Sequence, residues 1–192
     1  MTDFDTALQS LSMLIETEIG ESAVVLVTSA TSRDGSGFVA RGLAHAYAER
    51  GIRVAFATLD ESASVGGFTD EGSSDTIPIG GLSARTSTPQ FAALVEDWRR
   101  RYDVVIVDGP SLLGSPKALH FARIASGLLL TVRSGRSVRR EDGELANLAE
   151  RLGTKILGVV QTPAHLPREA KAADPVGKRG FAAQFSSLFS RA

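Results

Sequence analysis

The chain has 192 residues, 43% hydrophobic and 22% charged, enough for one buried core and too few for a second domain of ordinary size. Twenty-one basic residues against twenty-two acidic ones give a net charge of −1, which removes any global electrostatic case for nucleic-acid binding. The absence of cysteine excludes disulfides, thiolate catalysis and cysteine-ligated metals.

Residues 3–18 place Phe4, Ala7, Leu8, Leu11, Leu14 and Ile15 on one face at helical spacing. This opening stretch is acidic and has no basic n-region, so a signal peptide is not expected. No apolar run approaches the roughly 18 residues of a membrane span, and the expectation is a cytoplasmic domain without direct membrane insertion. Ala23 to Thr28 is a β-branched run of the kind found in strands covered on both faces. A Gly/Ser loop leads to a predicted helix from Phe38 to Arg50, striped by Ala40, Leu43, Ala44 and Tyr47 and ended by Gly51. Ile52 to Leu59 predicts a second strand. Residues 62–90 lack a clear period, apart from a short strand at Ile77–Ile79.

A helix follows over Pro89–Arg101, anchored by Phe91, Leu94, Val95 and Trp98, with Arg99, Arg100 and Arg101 at its dipole-favoured end. Asp103–Asp108, Gly127–Val132 and Lys155–Val160 predict three more strands, with a helix over Ser137–Leu152 between the last two. The tail from Pro163 is Ala-rich and mildly basic, with Phe181, Phe185 and Leu188 in a short amphipathic piece. Strands alternating with helices at this spacing imply right-handed crossovers, hence a mostly parallel sheet between two helix layers in one domain over 1–192. A ligand crevice is then expected beyond the strands' carboxyl ends, at 28–37, 58–62, 108–116 and 133–140.

The first of these rims is Thr28-Ser29-Ala30-Thr31-Ser32-Arg33-Asp34-Gly35-Ser36-Gly37-Phe38. A loop joining a buried strand to a helix N-terminus offers backbone N–H groups and a positive dipole end, which together suit an anion. VAFATLD brings Asp60 to the same rim, and YDVVIVDGPSLLG brings Asp108. These blocks, with VRSGRSVRRED and ILGVVQT, resemble the deviant-Walker P-loop ATPases that include the chromosome-partition and septum-placing ATPases. Within that group the chain looks most like the cytoplasmic domain of the bacterial tyrosine kinases of capsular and exopolysaccharide export. The resemblance spans about residues 23–162 and implies a three-layer α/β/α P-loop NTPase fold.

The departures from that family fall on its chemistry. The family's P-loop lysine aligns with Ser36, the Mg²⁺-ligating hydroxyl with Gly37 and the next Thr with Phe38. The upstream signature lysine aligns with Thr31, and the first acidic residue of the second-strand motif with Thr58, leaving Asp60. The Asn that helps hold the purine aligns with Thr162. Phosphoryl transfer depends on positioning and charge neutralisation, so these replacements imply a degenerate site with no catalytic set and only the remnants Asp60 and Asp108. Asp34 is expected to repel phosphate, with Arg33 a partial substitute of different geometry. Thr31 to Phe38 (including Ser32, Gly35 and Gly37) and Thr162 mark where a nucleotide would sit. No cofactor is expected beyond weak ATP or ADP binding through the loop backbone. Tyr47 and Tyr102 read as packing residues, and the family's C-terminal tyrosine cluster is missing.

A dinucleotide-binding reading through Gly35, Gly37, Ala40 and Asp60 fails because the strand-to-glycine loop is too long and YDVVIVDGP has no place in it. The three histidines, His45, His120 and His165, lie too far apart in sequence for metal spacing. Arg133, Arg136, Arg139 and Arg140 form a basic run, read either as a solvated turn or as a contact for phosphate or an acidic partner. The resemblance implies a regulatory or scaffolding partner in polysaccharide synthesis and export. It would bind a membrane polysaccharide co-polymerase or a catalytic paralogue, with a homo-oligomer in view, at the inner membrane through that partner. The alternative is a weak ATP-binding switch of the partition type.

Overall fold

Ala23–Ser29 is buried at every position, and such a strand can exist only inside a sheet covered on both faces. In the computed structural model, which describes residues 3–31, 34–59, 75–78, 88–135 and 140–164, this strand, β1, lies at the centre of a six-stranded sheet. The other strands are β2 (Val54–Thr58), β3 (Asp75–Pro78), β4 (Val104–Asp108), β5 (Gly127–Arg133) and β6 (Ile156–Thr162). Their order is β3-β2-β4-β1-β5-β6, and every pairing is parallel. The helices are α1 (Asp3–Ile19), α2 (Ser36–Glu49), α3 (Thr88–Arg101), α4 (Pro116–Ala122) and α5 (Arg140–Leu152). This is the expected α/β architecture.

Alternate residues of the strands feed two separate cores. Val25, Val27, Val54, Phe56, Ile106 and Leu129 meet Ile15, Val39, Leu43 and Tyr47, so α1 and α2 cover one face. Val24, Leu26, Val105, Val107, Leu128 and Leu130 meet Phe91, Trp98, Phe121, Leu145 and Ala149 from α3, α4 and α5 on the other. Phe91 and Phe121 meet edge to face with centroids 5.8 Å apart, a favoured aromatic geometry.

Tyr47 and Trp98 are fully buried, as read from the sequence; the Tyr47 hydroxyl donates to the Ser12 carbonyl at 3.0 Å. Arg50, the last residue before Gly51, reaches back to α1 and forks onto Glu16 at 2.7 and 2.8 Å. Gly51 itself has φ +75°, a conformation that ends a helix at little cost only in glycine.

The sequence reading needs four adjustments. On α1, Ala7 and Leu14 face solvent, Leu14 at 63% exposure, because the buried stripe runs through Leu8, Ser12 and Ile15 and these two fall on its flank. α2 begins at Ser36, two residues early, since Gly35 already turns the chain into the helix. The short strand is described at Asp75–Pro78, in register with Ala55–Thr58, so it begins two residues before the expected Ile77, and Ile79 lies outside the described residues. Helix α4 was not anticipated at all. α5 is described from Arg140, and Ser137, Val138 and Arg139 lie outside the described residues, as does the tail from 165. Among the described residues no helix is long and apolar enough to cross a membrane.

Candidate functional site

The crossover from β1 leads past β4 to β2, whereas the crossover from β4 leads past β1 to β5. The chain thus departs in opposite directions from two adjacent strands, and a crevice opens beyond their carboxyl ends. Described residues of two loops flank it: 30–31 and 34–35 after β1, and 109–115 after β4.

Backbone and hydroxyl groups lace these loops together. Gly109 N–H donates to the Val27 carbonyl at 2.9 Å and Leu112 N–H to the Ser29 carbonyl at 3.2 Å. The Thr28 hydroxyl donates to the Pro110 carbonyl at 2.8 Å, and the Ser111 hydroxyl to the Ala30 carbonyl. The approach is close: a Cβ on Gly109 would lie 2.7 Å from Leu26 Cδ1.

Gly35 stands at the N-cap of α2 with φ 80° and ψ 31°, left-handed geometry that glycine adopts without steric cost. It supplies no side-chain cap. Ser36 is the first residue of the helix, and its hydroxyl reaches toward the Gly109 carbonyl at 3.4 Å. Gly37 and Phe38 follow within the first turn, and the Phe38 ring lies 5.0 Å from that of Phe4 on α1. The Ser36 side chain is therefore turned to the neighbouring loop.

Asp34 is 1% exposed. Its carboxylate accepts from the Thr31 N–H at 3.3 Å and from the Thr31 hydroxyl at 2.8 Å. Thr162, read in the sequence as lying just after the last strand, is the final residue of β6 and fully buried. Its hydroxyl donates to the Asp34 carbonyl at 3.1 Å, so Thr162 braces the loop from beneath. Asp108 ends β4 at the crevice, 9% exposed, and its main-chain carbonyl accepts the Leu59 N–H at 2.8 Å.

Thr31, Asp34, Gly35, Ser36, Asp108 and Thr162 are thus gathered at one edge of the sheet. Ser32, Arg33 and Asp60 lie outside the described residues. Of the basic run, Arg133 closes β5 and Arg140 opens α5, where its Nε donates to Glu144 at 2.7 Å; Arg136 and Arg139 lie outside the described residues. Among the described residues, no cluster of three His, Asp or Glu could hold a metal ion.

One residue escaped sequence reasoning. Lys117, in the first turn of α4 on the same edge, is only 7% exposed. Its signal was local: Ser115 caps α4 by accepting the Ala118 N–H at 3.3 Å, and Pro116 takes the first helical position.

No protein-family profile matches the chain. Its sequence is 27% identical over 120 residues to the succinoglycan biosynthesis transport protein ExoP of Rhizobium meliloti (strain 1021). That match covers 59% of this chain and 15% of ExoP, so the chain corresponds to a small part of that protein. The kinase domain of the Escherichia coli tyrosine kinase ETK superposes with a TM-score of 0.71 at 22% identity, over 90% of this chain and 80% of that one. The fold is that of the deviant-Walker P-loop ATPases. A ParA family ATPase from Chlorobium tepidum TLS shares it at a TM-score of 0.57 and 17% identity, over 77% of this chain and 76% of that one. The tyrosine-kinase domain and the ParA family ATPase thus share this chain's fold, in which a crevice opens beyond the carboxyl ends of β1 and β4.

Proposed function

We propose that this P-loop domain works without nucleotide turnover, as a regulatory or scaffolding partner in polysaccharide synthesis or export. The observation that carries this reading is the start of α2. Ser36 and Gly37 occupy the first two helical positions, so position 36 offers no cation, its hydroxyl being turned toward the Gly109 carbonyl, and position 37 offers no metal-ligating hydroxyl. A lysine contact and a Mg²⁺ contact are each worth about 1.5–3 kcal/mol, so their joint loss moves a micromolar nucleotide affinity into the millimolar range or beyond. The likeness to ExoP, a succinoglycan biosynthesis transport protein, supports the polysaccharide setting, with a membrane-bound co-polymerase or a catalytic paralogue as partner.

The test is an ATPase and autokinase assay on purified protein with Mg-ATP, expected to read no higher than a blank. Turnover that disappears in Asp108→Ala overturns the proposal. In cells, polysaccharide output that depends on this protein should survive Asp60→Ala and Asp108→Ala, each in folded protein.

A second reading, a weak ATP-binding switch, draws support from Lys117. This lysine places an ammonium-bearing residue at the start of α4, on the same edge of the sheet as the loop. Saturable low-micromolar Mg-ATP binding to the wild-type protein, lost in Lys117→Gln, would put the switch first.

A further inference from the structure

A loop between a buried strand and a helix N-terminus exposes N–H groups that attract an anion. Here one such N–H is already taken. Thr31 presents its backbone N–H and its hydroxyl, and both donate to the same oxygen, Oδ2 of Asp34. The Asp34 N–H returns the contact by donating to the Thr31 carbonyl at 3.3 Å, so three hydrogen bonds join the two residues. The Thr31 carbonyl also accepts the Ser29 hydroxyl at 2.6 Å, and the Asp34 carbonyl accepts the Thr162 hydroxyl at 3.1 Å. Asp34 is the residue before the N-cap of α2, a position at which the helix dipole favours an acidic residue.

We propose that Asp34 is a resident anion: its carboxylate takes the place of a bound oxyanion, holds the loop on its path with no ligand present, and denies the site to phosphate. An anion attached to the loop acts at high effective concentration, and an incoming phosphate must also expose a buried carboxylate in order to displace it. This deepens the non-catalytic reading and rests on it, because a nucleotide-turning enzyme has no use for a permanently filled loop.

The experiment uses the full chain as wild type, Asp34→Ala and Asp34→Asn. Two quantities are measured: amide exchange at Thr31 by NMR, and titration with inorganic pyrophosphate. In Asp34→Ala the Thr31 amide should exchange at least about tenfold faster, since its acceptor is gone. In Asp34→Asn, whose side-chain oxygen still accepts, the change should be smaller. Pyrophosphate should saturate both variants in the millimolar range and give no saturable heat with wild type. Unchanged Thr31 exchange in folded Asp34→Ala overturns the proposal, as does equal pyrophosphate binding by wild type and variants, or none by either variant. If Asp34→Ala fails to fold, the charge-removing Asp34→Asn decides through its pyrophosphate titration. Nucleotide turnover by wild type would sink the parent reading alone, and Thr31 exchange would still judge this one.

Discussion

Thr162 and Asp34, 128 positions apart in sequence, are joined by a hydrogen bond from the Thr162 hydroxyl to the Asp34 carbonyl at 3.1 Å. The bond ties the last strand of the sheet to the loop after the first. Thr162→Val keeps the side chain's shape and removes the donor. Because both groups are buried, the carbonyl is left short of a partner, and the expected loss is about 1–3 kcal/mol in urea unfolding. Thr162→Ser should recover most of it. A Thr162→Val protein as stable as wild type would show that the brace carries no weight.

Tyr47 offers a cleaner spectroscopic test. Its hydroxyl is buried between α1 and α2, and burial, reinforced by the Glu16 carboxylate, pushes its ionisation far above the ordinary tyrosine value. A raised acid pKa in the folded state means stability that is intact below the unfolded value near 10 and is lost as pH rises toward the folded one. Alkaline titration followed at the tyrosinate absorbance should therefore show one tyrosine ionising only as the protein unfolds. Tyr47→Phe should remove that late step and cost about 1 kcal/mol through the lost bond to Ser12.

At the opposite end of the sheet, Arg53 forks onto Asp103 at 2.6 and 3.1 Å, and the hydrogen bond holds the Asp103 carboxyl below its usual range. A lowered carboxyl pKa contributes stability above the unfolded value, and this contribution disappears as pH falls through the folded one. Both side chains are largely exposed, so water and salt screen the pair and its contribution is small. Asp103→Asn should leave stability at pH 2 unchanged and lower it slightly at pH 7, and salt should shrink that difference. An equal loss at both pH values would place the effect elsewhere.

Restoring the missing groups tests how far the loop keeps a nucleotide-binding path. Ser36→Lys with Gly37→Ser supplies a cation and a hydroxyl at the first two positions of α2. With Asp34 still in place, the double variant should bind Mg-ATP weakly. Adding Asp34→Asn should tighten it by about tenfold or more, which is at least 1.4 kcal/mol. Identical affinities with and without Asp34 would argue that the carboxylate does not compete.

The layered architecture was legible because its strands are uniform. Val24 to Val27 and Val104 to Val107 are β-branched or leucine at nearly every position, as strands buried on both faces must be. α4 was not legible, because seven residues are too few to display a helical period, and its one local signal, the Ser115–Pro116 start, was passed over. Leu14 misled because an apolar residue on the flank of a stripe looks the same in sequence as one at its centre. At the site, the sequence named Thr31, Asp34, Ser36 and Thr162 but could not give their contacts. Whether the Asp34 carboxylate faces outward or folds back onto Thr31 depends on a loop path set by Gly35 and by a strand more than a hundred residues away.

The placement of β1 has a consequence for a chain emerging from the ribosome. Among the described strands the first in sequence is a central one, and its two neighbours are β4 and β5, which begin at residues 104 and 127. Through the synthesis of some eighty residues, at about 5–20 residues per second, Ala23–Ser29 has neither of its partners. β2 and β3 cannot assemble around it either, since β4 stands between them and β1. The nascent chain must therefore carry an unpaired segment, apolar from Ala23 to Val27, for several seconds, which makes it a natural client for chaperones that hold extended hydrophobic stretches.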